Sequence, residues 1–391
     1  MTSSVLAELL AYTQAHAGRH SARLNEFIPA YFDNADPGEI TARGPQTLYA
    51  IATAHWRLLE AARSPDTARI RVFNPTLAED GYVSDHTVIQ IVHADMPFLV
   101  DSVTMAVNRG GRTAHWIVHP LMAVQRDDKG LAMRIGRVPA DRNKRQQAGI
   151  ESLIMVECDR IIAEQDRNEL AAELKRVLGD VRHSVQDWKP MLARLDEVCI
   201  AAQSAPLTAD SKREGIAFLR WLEDLHFTFL GVRDYDLQRD GNNATLLARE
   251  ESGLGILRGQ VQTQETHLPA EAVQLIDTDE LVLVIKAMTR STVHRPAWLD
   301  YIAVKRFDAA GQVCGETRFL GLYTSTAYTT RPKDIPLIRT KVDAVFAQSK
   351  LHRSGHGAKR LQHILETLPR DELFQSTIDE LFNTALGILN L

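Results

Sequence analysis

Along the chain, apolar positions fall into blocks whose spacing changes several times. Residues 3 to 16 and 44 to 63 place Leu, Ala, Ile and Trp at helical intervals, and "ARSPDT" closes the second run with a turn. Near residue 68 the period changes to that of strands. "ARIRVFNP" alternates, and "HTVIQIVHAD" is rich in β-branched residues, which predicts two strands. The stretch that follows, "HADMPFLVDSVTMAVNRGG" (93–111), drops through Met-Pro into an amphipathic run that two glycines stop. The spacing predicts a helix with Asp95 as its cap, Pro97 in its first turn, and Gly110 and Gly111 as its left-handed end.

"TAHWIVHPLMAVQRDDKGLAMRIGRV" then alternates on both sides of Asp-Asp-Lys-Gly, a hairpin signal. "ESLIMVECD" (151–159) is a buried strand by its mostly apolar run, and Leu170, Leu174 and Leu178 mark a helix from Asp166 to about Trp188. An apolar helix from Met191 to Ala202 leads into the polar "QSAPLTADSKREG". Beyond it come the helix "GIAFLRWLEDL", the strand "HFTFLGVRDYDL" with Phe227, Phe229 and Val232 able to pack, and the strands "LVLVIKAM", "YIAVKRFD" and "TRFLGLYTS". From Asp334 onward the pattern is helical apart from "RSGHG", and it stops in mid-pattern at Leu391 as a cut chain would.

These blocks give an α+β fold class: a helical segment (1–67), an antiparallel sheet with its helices on one face (68–207), a second antiparallel α+β unit (208–330) and a helical connector (331–391). The length of 391 residues suits several domains. A net charge of −5, from 50 acids and 45 bases without a lopsided half, argues against nucleic acid as a partner. Cys158, Cys199 and Cys314 are far apart and odd in number, so a reducing compartment fits. No signal peptide opens the chain, and no run approaches the roughly eighteen apolar residues of a membrane span. The expectation is a cytoplasmic protein with no membrane association.

Candidate chemistry is sparse. "ESGLGILRG" offers Gly253, Gly255 and Gly259, yet "QVQTQETHLP" does not continue as the helix a dinucleotide loop opens, so a structural glycine turn is favoured. His115 and His119 lie on a predicted strand, where four residues span about 13 Å, too far for one metal. His352 and His356 share the spacing beside Gly355 and Gly357, which disfavour a helix. No metal site is expected, and no Gly-x-Ser-x-Gly or Cys–His pairing suggests a nucleophile. The basic run Arg134, Arg137, Arg142, Lys144 and Arg145 reads as a solvated loop or as an anion or docking surface. In "TRSTVHRPAWLDY", the group Arg290, His294, Arg295 and Trp298 suits an anionic or planar ligand, while Pro296 and Trp298 equally suit a loop anchor.

Several long strings carry a resemblance. "HADMPFLVDSVTMAVNRGG", "HFTFLGVRDYDL", "SGLGILR", "RSTVHRPAWLDYIAVKRFD", "GETRFLGLYTSTAY", "IPLIRTKV" and "LETLPRDELFQ" resemble the N-terminal region of the large bacterial NAD-specific glutamate dehydrogenases, from about residue 40 onward. The resemblance implies ACT-like and PAS-like regulatory domains ahead of a catalytic core outside this segment. It implies no catalytic or cofactor-binding residue here, NAD in the parent enzyme, and the rest of the chain and other subunits of a homo-oligomer as partners, with an amino-acid effector as a further one. In that frame Asp95, Met96, Pro97, Phe98 and Leu99 form the turn where an effector would bind.

Two departures from the ACT pattern stand out. No strand follows the second helix, so "ARIRVFNP" is left to supply the missing edge from the N-terminal side. Phe98 also stands where a glycine would let a ligand approach. Three functional readings follow: an allosteric and assembly segment, a purely structural subunit-contact module without ligand, and an independent enzyme built on Arg290, His294 and Arg295.

Overall fold

The computed structural model describes residues 3–241, 243–259, 266–352 and 355–390. The chain is α+β and forms two compact units, Met1–Arg182 with Thr292–Arg295, and His183–Ser291 with Pro296–Leu391. Each carries an antiparallel sheet.

The first unit opens with three helices, Ser3–His16, Ser21–Tyr31 and Pro37–Glu60. Asp36 caps the third by accepting from the amides of Gly38 and Glu39. Gly44, at φ 70°, breaks it just before Pro45, so the apolar run read from residue 44 starts where the second segment does. The sheet contains β1 (Arg69–Phe73), β2 (Thr87–Ala94), β3 (Ala114–Val118), β4 (Leu121–Arg126), β5 (Ala132–Arg137) and β6 (Ile150–Cys158). Its order is β1-β2-β6-β4-β5, and β3 and β4 both pair with β6. They are one line of strand interrupted at His119-Pro120, since Pro120 has no amide to donate. Strand β1 pairs antiparallel with β2 as the edge.

Strands β2 and β6 are buried on both faces, which is why they read as near-continuous apolar runs. Val88, Val92, Leu153 and Met155 pack beneath the three N-terminal helices. The opposite face buries Ile89, Ile91, Ile154 and Val156, on the side of helix Leu99–Arg109. Helices therefore lie on both faces of this sheet, not one, because the N-terminal segment folds onto it. The hairpin β4–β5 turns at Asp127–Leu131, with Gly130 at φ 78°. The long helix Glu164–Gln186 follows β6.

The second unit starts from helices Trp188–Gln203 and Ala209–Trp221. Its sheet is formed by β7 (Phe227–Asp240), β8 (Asn243–Ala248), β9 (Leu254–Gly255), β10 (Thr266–Leu268), β11 (Val282–Arg290), β12 (Trp298–Phe307) and β13 (Val313–Tyr323). The order is β10-β8-β7-β13-β12-β11, with β9 on β7. The pairing of β13 with β7 shifts register at Leu320/Gly321. That irregularity puts Phe227, Phe229 and Val232 into the same core despite their uneven spacing. Helices Ile338–Ser349, His356–Thr367, Arg370–Gln375 and Ile378–Leu389 complete this unit and share that core through Val345, Leu361, Leu373 and Leu381. Among the described residues, no helix is long and apolar enough to cross a membrane.

Candidate functional site

The turn after β2 departs from the expected cap. Helix Leu99–Arg109 is preceded by Phe98 in the left-handed conformation, and among the described residues no side chain caps it. Asp95 instead ties the turn to the sheet: its amide donates to the Ile150 carbonyl at 2.9 Å, and its carboxylate accepts from the Met96 amide. Burial pushes that carboxyl up, while nearby His119 and Arg145 act in the opposite sense. Pro97 lies in the turn, two residues before the helix begins. The far end is as expected, with Gly111 at φ 74° and its amide on the Asn108 carbonyl at 3.1 Å.

Beside this turn lies the segment Thr292–Arg295, which belongs to the same unit. Val293 is fully buried. The His294 amide donates to Ser102 Oγ at 3.1 Å, and the His294 ring lies 5.0 Å from that of Phe98, centroid to centroid. Its Nδ1 is 3.9 Å from Asp101 Oδ2. Thr292 Oγ1 donates to Asp180 Oδ2 at 2.8 Å, and the Arg295 amide donates to the Val293 carbonyl at 3.0 Å. His294, like Phe98, is left-handed, at φ 73° and 70°. Two regions marked separately in the sequence thus meet at one place.

The remainder of the expected ligand cluster is divided. Arg290 and Trp298 belong to the second unit, where they are paired across β11 and β12 and the guanidinium lies 5.0 Å from the indole centroid. His294 and Arg295 belong to the first.

Ser102, Asp180 and Val293 were not apparent as site residues from sequence. Ser102 is fully buried on an otherwise apolar helix face, and that lone hydroxyl was the available signal.

The glycine-rich loop is held as structure. Buried Asp187 accepts from the Gly255 amide at 2.8 Å and from Arg258 Nε at 2.8 Å, and Gly255 sits at φ 61°. A Cβ at Gly255 would fall 2.0 Å from the Leu230 carbonyl oxygen, so close backbone packing is what requires the glycine here. His115 and His119 go to separate partners, Asp159 Oδ1 and Ser152 Oγ, each at 2.6 Å. Burial lowers the pKa of His119. Among the described residues, no group of three His, Cys, Asp or Glu side chains is placed to hold a metal. In the basic run, β5 carries Arg134 and Arg137, the latter 3.8 Å from Asp33, and Asp141 caps a short helix, Arg142–Gln147, through the Lys144 amide. A cleft of about 590 Å³ opens in the second unit beside Arg194, Arg306 and Thr317. Its arginines already bind Asp234 and Asp236.

Comparison with known proteins adds family information. Residues 27–174 match the family model "Glutamate dehydrogenase, ACT1 domain", and residues 335–391 match "Glutamate dehydrogenase, helical motif 1". The chain is similar to the NAD-specific glutamate dehydrogenase of Halomonas elongata, 36% identical over 378 residues, which covers 95% of this chain and 23% of the relative. It is 35% identical over 370 residues to that of Pseudomonas aeruginosa, covering 93% of this chain and 23% of the relative. With the Mycobacterium tuberculosis protein of the same name it shares 27% identity over 306 residues, 78% of this chain and 18% of the relative. The chain thus spans about 23% of the length of the first two curated relatives.

Proposed function

Because the chain belongs to the NAD-specific glutamate dehydrogenase family, we propose that it is the non-catalytic N-terminal regulatory and assembly region of such an enzyme. The whole enzyme would convert L-glutamate and NAD to 2-oxoglutarate, ammonium and NADH, in the cytoplasm and as a homo-oligomer. The ACT1 match over 27–174 carries this reading, because it falls on the sheet that contains the turn 95–99.

The mechanism is linkage. An effector or a neighbouring subunit that favours one arrangement of the turn biases a distant active site by its difference in affinity between the two states, typically about 1–3 kcal/mol. The second sheet is a PAS-like or comparable module of the same region, a reading supported by the central pairing of its first long strand β7 with its last, β13. NAD belongs to the catalytic part of the parent enzyme.

Purified chain 1–391, given L-glutamate and NAD, is expected to produce no NADH absorbance, and any turnover would overturn the assignment. Thermal unfolding across a panel of amino acids tests the effector, since a ligand of the folded state raises the melting temperature by mass action. A second reading, a contact module with no ligand, is favoured by Phe98 and by the buried Val293 beside the turn. A flat panel would select it.

A further inference from the structure

We propose that Thr292–Arg295 is an intrasteric latch: these four residues occupy the strand-to-helix turn at Phe98, and the turn opens only when they withdraw. The latch deepens the regulatory reading and rests on it for its use, but its existence is tested without any effector or activity.

Three kinds of contact make the segment an occupant rather than a passing loop. Val293 is completely buried, so its isopropyl group fills space that would otherwise need another apolar group. Each side of it is tied by a hydrogen bond, His294 N–H to Ser102 on helix Leu99–Arg109 and Thr292 Oγ1 to Asp180 on helix Glu164–Gln186. The His294 ring then lies beside that of Phe98, 5.0 Å between centroids.

The same contacts are of a kind that releases. His294 and Phe98 are both held left-handed, a conformation that a residue with a side chain adopts at a cost and keeps only while its surroundings impose it. The His294 ring and the Asp101 carboxylate are partly exposed, and among the described residues no hydrogen-bond partner meets His294 Nδ1. The anchor includes one small apolar side chain and two hydrogen bonds, and it holds two strained backbones in place. A two-state element of this composition is a means by which a bound effector or a subunit contact is converted into a conformational change.

Hydrogen exchange by mass spectrometry on the 391-residue chain tests the latch. In Val293→Ser, peptides covering 291–297 and 96–104 are expected to exchange together, at least tenfold faster than in the parent chain, while peptides from β2 and β6 keep their protection. Thr292→Val, a milder change, is expected to move the same two peptides by a smaller factor. If 96–104 stays at its original rate while 291–297 speeds up, the loop does not close the turn and the proposal fails. If β2 and β6 lose protection as well in both variants, Val293 is an ordinary core residue and the proposal also fails. Failure of the regulatory reading, by contrast, would appear in the amino-acid panel and leave these exchange rates untouched.

Discussion

Removing the carboxylate of Glu151 is expected to be among the most destabilising single changes in the first unit. Glu151 is 4% exposed on β6 and accepts from Arg63 Nη2 at 2.7 Å and from Arg126 Nε and Nη2 at 2.6 and 2.8 Å. Arg63 is buried and Arg126 partly buried, and both also bind carbonyls: Arg63 those of Ser64, Pro65 and Thr67, and Arg126 those of Leu59, Ala61 and Gly130. One carboxylate thus serves two guanidiniums that fasten the end of helix Pro37–Glu60 to the β4–β5 hairpin.

In Glu151→Leu the volume is roughly kept, but the buried Arg63 and the partly buried Arg126 lose this counter-ion. Breaking a buried pair in this way costs about 3–5 kcal/mol, and the carbonyl bonds that persist place the expected loss near the lower end, about 3 kcal/mol. Glu151→Gln keeps an acceptor and should lose about 1–2 kcal/mol. Urea unfolding followed by tryptophan fluorescence reads this. With slopes of about 1–3 kcal/mol/M, the transition of the first unit should fall by about 1 M or more in the Leu variant. A Leu variant within ~0.5 kcal/mol of the parent, or one more stable than the Gln variant, would refute the reasoning. Joint replacement of Arg63, Arg126 and Glu151 by apolar residues should recover most of the loss.

Two further predictions concern backbone and protonation. Gly255→Ala should destabilise the second unit by more than ~2 kcal/mol, combining left-handed strain with the 2.0 Å approach to the Leu230 carbonyl, whereas Gly179→Ala, helical and with nothing within 4 Å, should stabilise by ~0.5–1 kcal/mol; melting temperatures of opposite sign check both. His55, fully buried, accepts at Nδ1 from the Tyr31 hydroxyl and donates from Nε2 to the Ile91 carbonyl, and burial lowers its pKa from 6.5 to about 4. The unfolded chain therefore takes up this proton below pH 6.5 and the folded chain only near pH 4, so the contribution is complete above pH 6.5 and is lost as pH falls to about 4. Its size is about 3 kcal/mol, and unfolding free energies measured from pH 7 to 4 should fall less steeply in His55→Gln than in the parent.

Strands and long helices were legible wherever one period ran for several turns or pairs. β2, β6, β11, β12 and β13 and the helix Glu164–Gln186 all appeared from spacing. Helix Ser21–Tyr31 did not, because Pro29 stands inside it and the sequence offers no sign that the preceding turns are held by Phe27, Ile28 and Tyr31 in the core. Strand β8 was hidden by its flanking Gly-Asn-Asn, which reads as turn and leaves only a short alternating run. The covering of the first sheet on both faces could not be read from periodicity, since a doubly buried strand and a buried helical segment give similar apolar runs.

At the turn itself, the failure of the cap reading is informative. Asp-x-Pro before an amphipathic run is a sound capping signal, and the chain declines it, starting the helix two residues after Pro97 through a left-handed Phe98. A glycine at 98 would relieve about 1–2 kcal/mol of strain and would suit close approach of a free ligand. The residue present instead supplies a ring, and that ring meets the other strained residue, His294, at 5.0 Å. Neither side chain announces a left-handed backbone, which is why the strain was invisible in sequence and why the two stretches seemed unrelated. The large side chain that argues against a simple amino-acid pocket at 95–99 is thus the same one that receives the segment 292–295. Closure of the turn from within the chain accounts for Phe98 in a way that an open effector site does not.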